Sequence, residues 1–155
     1  MLQRMMSLSQ DCSVVVVVDQ GNHRLMLWRL GDGTLWKQLG SEGTEAGQFY
    51  SPRAVAVTST GALVVSDERC VQVLTVEGAV VCVLDPLNPI MNFGVGRLQL
   101  GGSHYGLAVY PGTNEILFTD SCNDRLLALS WSPEVCCYKQ CSLQPDWCLI
   151  EGSVL

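Results

Sequence analysis

The sequence predicts an all-β fold: a partial β-propeller of about three four-stranded antiparallel blades. Three observations carry this. Nearly half of the 155 residues are apolar while only 15% are charged, and Val, Leu and Gly dominate, which favours short buried strands separated by turns. A β-branched strand ending in Asp occurs three times, at Asp19, Asp67 and Asp120, spaced 48 and 53 residues apart, close to the roughly 40 to 50 residues of a four-stranded blade. Glycine hairpins and a Gly-rich connection fall between these strands.

In the first copy Val14-Val15-Val16-Val17-Val18-Asp19 leads through Gln20-Gly21-Asn22-His23-Arg24 into Leu25-Met26-Leu27-Trp28. The third runs Ile116-Leu117-Phe118-Thr119-Asp120, Ser121-Cys122-Asn123-Asp124-Arg125, Leu126-Leu127-Ala128-Leu129, so both keep Asp-x-x-Asn-x-Arg. The middle copy, Leu63 to Asp67 followed by Glu68-Arg69-Cys70-Val71, has a loop two residues shorter and lacks the Asn. Asp19, Asn22, Asp67, Asp120 and Asn123 are the structural signature of the repeat, because short polar side chains at strand ends take up hydrogen bonds that the ladder leaves unmade. Arg24 and Arg125 are placed to pair with a nearby Asp.

Before each Asp strand small residues alternate with larger ones: Pro52-Arg53-Ala54-Val55-Ala56-Val57 and Tyr105-Gly106-Leu107-Ala108-Val109. This suits an inner strand crowded by converging blades. The same offset puts Met6-Ser7-Leu8-Ser9 in that role in the first copy. Hairpins at Gly31-Asp32-Gly33 and Glu77-Gly78 follow, and the connections are Gly40 to Pro52 and the longer Asp85 to His104. The expected boundaries are a first blade at 1–42 without its lead-in, a second at 43–84, a third at 85–140 with the longer connection, and a Cys-containing tail at 141–155.

The net charge of −6 argues against a broad footprint for nucleic acid or an anionic membrane. The apolar run around Val14 to Val18 is too short to span a bilayer, and Met1 to Gln10 lacks the plan of a secretory signal, so cytoplasmic residence is expected. Cys70, Cys82 and Cys122 sit in or beside strands, where free thiols pack as small hydrophobes. Cys136, Cys137, Cys141 and Cys148 lack the paired C-x-x-C spacing of a structural zinc site, and no metal or cofactor is expected.

The stretch Gly40-Ser41-Glu42-Gly43-x-x-x-Gly47-Gln48-Phe49-x-x-Pro52-Arg53-x-Val55-Ala56-Val57, with the Asp strand and the Asn22-His23-Arg24-Leu25 loop, resembles NHL repeats. The likeness covers roughly residues 6 to 131 and is absent after Pro133. It implies an NHL-like propeller; such modules form six blades in many members. They serve as binding platforms in tripartite-motif ubiquitin ligases, developmental RNA regulators and bacterial sensor kinases.

The expected ligand face is formed by the Asp loops and the connections, since loops on a rigid propeller carry sites. His23, Arg24, Phe49, Tyr50, Arg53, His104, Tyr105 and Arg125 are the candidates, because aromatic residues and Arg dominate hot spots. A protein partner is expected ahead of RNA, because RNA-binding members present a basic face whereas this chain has nine Lys and Arg against fifteen Asp and Glu. The other readings are a fragment of a metal-dependent propeller lyase or lactonase, and an incomplete gene product without independent function. The inner strands offer Ala, Val, Leu and Ser with only two His in the chain, so no catalytic residues are assigned. Three blades fall short of the four that closure needs, so self-assembly to complete the ring is also expected.

Overall fold

The computed structural model of the protein describes residues 6–8, 13–84, 106–110, 112–113, 115–120, 125–129 and 140–142. They form three four-stranded sheets. The first holds β1 (Met6–Leu8), β2 (Val14–Asp19), β3 (Arg24–Arg29) and β4 (Leu35–Leu39); the second, β5 (Ala54–Val57), β6 (Leu63–Ser66), β7 (Val71–Leu74) and β8 (Val80–Leu84). The third holds β9 (Leu107–Val109), β10 (Ile116–Asp120), β11 (Arg125–Leu129) and β12 (Gln140–Ser142). Each is an antiparallel meander in chain order, as short strands joined by tight turns require. Inner strand β5 lies against both β1 and β9, so the second sheet sits between the other two.

The repeat expected from the Asp spacing is visible in the register. Asp19 ends β2 opposite Arg24, Asp67 directly follows β6, and Asp120 ends β10 opposite Arg125. Met6–Leu8 pairs with Val15–Val17 as the inner strand of the first sheet. A register shift between Leu27 and Trp28 recurs at the same place in the second sheet, between Val73 and Leu74. β12 crosses the boundary at 140/141 expected between the third blade and the tail.

The core lies between the first two sheets. Because side chains alternate along a strand, every second residue of each strand reaches it. Val16, Val18, Leu25, Leu27 and Leu39 come from one side, Val55, Leu63, Val65 and Leu74 from the other, and Phe49 enters from the connection between the sheets. Phe49 is fully buried. Gly40 admits its ring: a Cβ there would stand 2.3 Å from Phe49 Cδ2 and Cε2, and its φ is +84°. The peptide groups on either side hold the ring in place, with Phe49 N donating to Ser41 O (2.9 Å) and Gly43 N donating to Phe49 O (3.2 Å).

The structure corrects the thiol expectation at one position. Cys82, buried on β8, is disulfide-bonded, whereas the half-buried Cys70 is not part of a disulfide. A strand-embedded Cys packs as a small hydrophobe in either state, so burial alone did not distinguish them. Cys122, Cys136, Cys137 and Cys148 lie outside the described residues. Among the described residues no helix is long and apolar enough to cross a membrane.

Candidate functional site

The first two Asp loops and the connection between the first two sheets meet at one end of these sheets. In the first loop Asp19 accepts hydrogen bonds from Asn22 Nδ2 (2.9 and 3.0 Å) and from Arg24 Nε (2.9 Å). Arg24 Nη1 also donates to Gln38 Oε1 on β4, so its guanidinium braces the outer strands of its own blade. In the shorter second loop the buried Asp67 does the same work through backbone groups: Oδ1 accepts from the amides of Arg69 (2.7 Å) and Cys70 (2.8 Å), and Oδ2 from the amide of Tyr50 (3.1 Å). Loss of the Asn is thus matched by a tighter turn that brings amides to the carboxylate. Such charge-assisted bonds are stronger than neutral ones.

The two loops are joined through the connection. Ser51 N donates to His23 Nδ1 (2.9 Å), which makes Nδ1 an acceptor and leaves the proton on Nε2, and Gln20 Nε2 donates to Ser51 Oγ (2.9 Å). The His23 and Tyr50 rings lie 5.7 Å apart, tilted by 41°. On the other side Glu68 N donates to Tyr50 O (3.1 Å), and Arg53 Nη2 pairs with Glu68 Oε1 (2.5 Å). His23 (φ 55°) and Ser51 (φ 56°) are the two non-glycine residues with left-handed backbone among the described residues. They touch each other. Left-handed backbone is unfavourable for a side-chain-bearing residue and is held only where its surroundings enforce it, which is common at binding sites.

Of the residues expected on the ligand face, His23, Tyr50 and Arg53 come together, with Tyr50 44% exposed. Arg24 faces β4. Phe49 is removed from the face: its ring is in the inter-sheet core, because Gly40 opens a slot for it there. His104, Tyr105, Asn123 and the side chains of Asp120 and Arg125 lie outside the described residues. Gln20, Ser51 and Glu68 complete the cluster and were not singled out in the sequence; all three lie inside the motif stretches, but nothing in their type marks a contact spanning 31 residues in the case of Gln20 and Ser51.

A second concavity lies at the other end of the first sheet. It is an open groove of about 470 Å³ lined by Ser13, Val14, Arg29, Gly31, Asp32 and Trp36, with the Arg29 guanidinium 5.8 Å from the Trp36 ring. Thr34 donates to Asp32 through both hydroxyl and amide and holds that carboxyl below the usual range. A groove of about 310 Å³ lined by Gly61, Ala62, Thr75, Glu77 and Val81 among others occupies the second sheet. Shifted by the repeat length these are the equivalents of Ser13, Val14, Arg29, Gly31 and Trp36, so the concavity is a product of the repeating hairpin. Among the described residues no three His, Cys, Asp or Glu side chains converge in a metal-holding group.

Comparison with known proteins gives the fold. No protein-family model matches the chain. No curated protein sequence matches it. Solved structures do: U3-55K superposes with a TM-score of 0.63 at 15% identity over 83% of this chain and 36% of that one. The WD40 repeats of RRP9 match with 0.63 at 14% identity, over 83% of this chain and 36% of that one. The fold is a β-propeller. Virginiamycin B lyase from Staphylococcus aureus matches with 0.60 at 10% identity, over 90% of this chain and 40% of that one. The chain therefore spans about two fifths or less of the length of these propellers. Identities this low show architecture alone, and the neighbours include both a repeat protein and a lyase.

Proposed function

We propose that the chain is a non-catalytic scaffold of the NHL-repeat kind that binds a protein partner on the face formed by His23, Tyr50, Ser51, Arg53 and Glu68. The observation that carries this is the contact between the two left-handed residues, His23 and Ser51, beside an exposed Tyr and an Arg–Glu pair. Strained backbone spent on fixing loops, rather than on packing strands, prepares a surface in advance of its ligand, and preorganisation reduces the ordering cost of binding. The NHL assignment is supported by the Gly40 to Val57 motif and by the Asp19–Asn22–Arg24 network, in which all three repeated polar residues engage one another.

Protein is preferred to RNA on this face because Arg53 is neutralised by Glu68 and Arg24 by Asp19, leaving little unpaired positive charge to meet phosphates. Labelled single-stranded RNA titrated at low and high salt tests the choice. Binding that is tight and falls steeply with salt overturns it, and no measurable binding supports it. An enzymatic reading as a propeller lyase requires a convergent ligand set, and stoichiometric zinc or calcium in the purified chain would restore it. The cytoplasmic placement belongs to the same proposal. Alkylation of native thiols in cell extract tests it at Cys82, which is disulfide-bonded in the structure: a protected Cys82 thiol counts against cytoplasmic residence and a reactive one supports it.

A further inference from the structure

Repeat equivalence reveals two unlike faces on each sheet. With Asp19 matched to Asp67, the residues Val15, Val17, Met26, Trp28 and Leu35 of the first sheet correspond to Leu63, Val65, Gln72, Leu74 and Val80 of the second. In the second sheet that face meets the first sheet, and Leu63, Val65, Gln72 and Leu74 are at most 2% exposed. In the first sheet Val15, Val17, Met26 and Trp28 are only half-buried and Leu35 is 44% exposed. The face is apolar at all five positions, including the one where the second sheet has Gln72. It is built as a blade-packing surface.

The opposite kind of face recurs at the other end. Ala56, Val64, Val71 and Val73 of the second sheet, all buried, correspond by the Asp67–Asp120 match to Ala108, Leu117, Leu126 and Ala128 of the third. Ala128 is buried, but Leu117 and Leu126 are half-buried and Ala108 is exposed. Between the first two sheets a face of the second kind meets one of the first kind, Val16, Val18, Leu25 and Leu27 packing on Val55, Leu63, Val65 and Leu74. The two end faces are therefore complementary to each other, and one arc carries one of each.

We propose that the first sheet's outward face receives the third sheet's outward face of a second copy, head to tail, so that two copies close a single six-sheet ring. Six lies within the four to eight blades that closed propellers use. A head-to-tail contact forms a closed ring when its rotation closes and an open ladder when it does not. The nine positions carry no charge, and Asp19 and Arg24, which alternate onto the first sheet's outward face, neutralise each other in an ion pair. This pairing stands apart from the loop face and holds or fails independently of it.

Sedimentation velocity of the full chain under reducing conditions tests the proposal; reductant removes any pair linked only through cysteines. A discrete species of two chains is expected across a wide concentration range. Trp28→Glu on one face and Leu117→Glu on the other should each weaken pairing by about a hundredfold or more, because each places a charge in a desolvated contact. Leu35→Glu, at a half-exposed edge position, does the same with the sheet itself undisturbed, and an unchanged strand signal in circular dichroism shows that it is folded. An equal mixture of the Trp28→Glu and Leu117→Glu chains regains a two-chain species through its one undamaged pair of faces, which misfolded variants would not do. A wild-type chain that stays single overturns the proposal. So does an open ladder of larger species, or variants that pair as well as wild type.

Discussion

Replacing Gly40 by Ala isolates the contact that locks the first sheet onto the second. The new methyl would stand 2.3 Å from two ring carbons of Phe49, and the residue's φ of +84° is itself unfavourable for alanine. The backbone term is about 1–2 kcal/mol. The ring has no room to retreat, because it is fully buried among Val16, Leu25, Val55 and Leu63 and its peptide is pinned to Ser41 and Gly43. Overpacking of that kind adds about 1–3 kcal/mol. The total, about 2–5 kcal/mol, is a large part of the stability of a small domain. Gly61→Ala is the control: its φ is +83° and a Cβ there meets nothing within 4 Å, so only the backbone term applies. Urea unfolding followed by circular dichroism, with both variants read against wild type, gives the packing term as their difference. Phe49→Leu in the Gly40→Ala background should recover part of it, with a coupling of about 1–3 kcal/mol. Equal losses for Gly40→Ala and Gly61→Ala would refute the claim that the Phe49 slot holds the sheets together.

Asp67→Ala leaves three amides, those of Tyr50, Arg69 and Cys70, without their acceptor in a buried turn, and should destabilise the chain by about 3 kcal/mol or more in the same unfolding assay. Asp67→Asn, which keeps one acceptor oxygen, should lose less; equal losses would show that the carboxylate is not the hub. Asp32 titrates below the ordinary carboxylate range because the Thr34 hydroxyl and amide donate to it. Since its folded value lies below the unfolded one, its contribution to the hairpin is complete above the unfolded value and is lost as the pH falls through the folded one. Carbon-detected NMR titration should show Thr34→Ala moving Asp32 back up, and an unmoved midpoint would discard the hydroxyl as the cause.

The strand register was legible in the sequence because Asp caps the same strand in every repeat, and a period near 50 residues admits few other folds. The Asp19–Asn22–Arg24 network was legible for the same reason: its members are at most five residues apart, so local geometry alone brings them together. Long-range contacts were not. Whether Phe49 or its neighbour Tyr50 turns inward depends on the space left at Gly40, nine residues earlier, and on the twist between two sheets. Both are large aromatic residues in the same connection and both stand among the face candidates; Phe49 reads from the sequence more readily as an anchor of its connection in the core, which is where its ring lies. The left-handed backbone at His23 and Ser51 was hidden as well, since neither residue type requires it and the enforcing contact lies between loops 28 residues apart. Paired cysteines follow the same logic: Cys82 looks like any buried small residue on a strand.

The loop face as binding surface is the centre of the account, and a comparison of two exposed aromatics tests it most directly. Tyr50 is on that face beside His23, while Trp36 is in the groove at the other end of the first sheet. Once a protein partner has been captured and purified, its affinity is measured by calorimetry for wild type, Tyr50→Ala and Trp36→Ala. Tyr50→Ala should weaken binding about tenfold or more, the scale of a buried interfacial tyrosine, with Trp36→Ala within about twofold of wild type. A partner that binds Tyr50→Ala as tightly as wild type, or that loses its affinity with Trp36→Ala instead, contradicts the account.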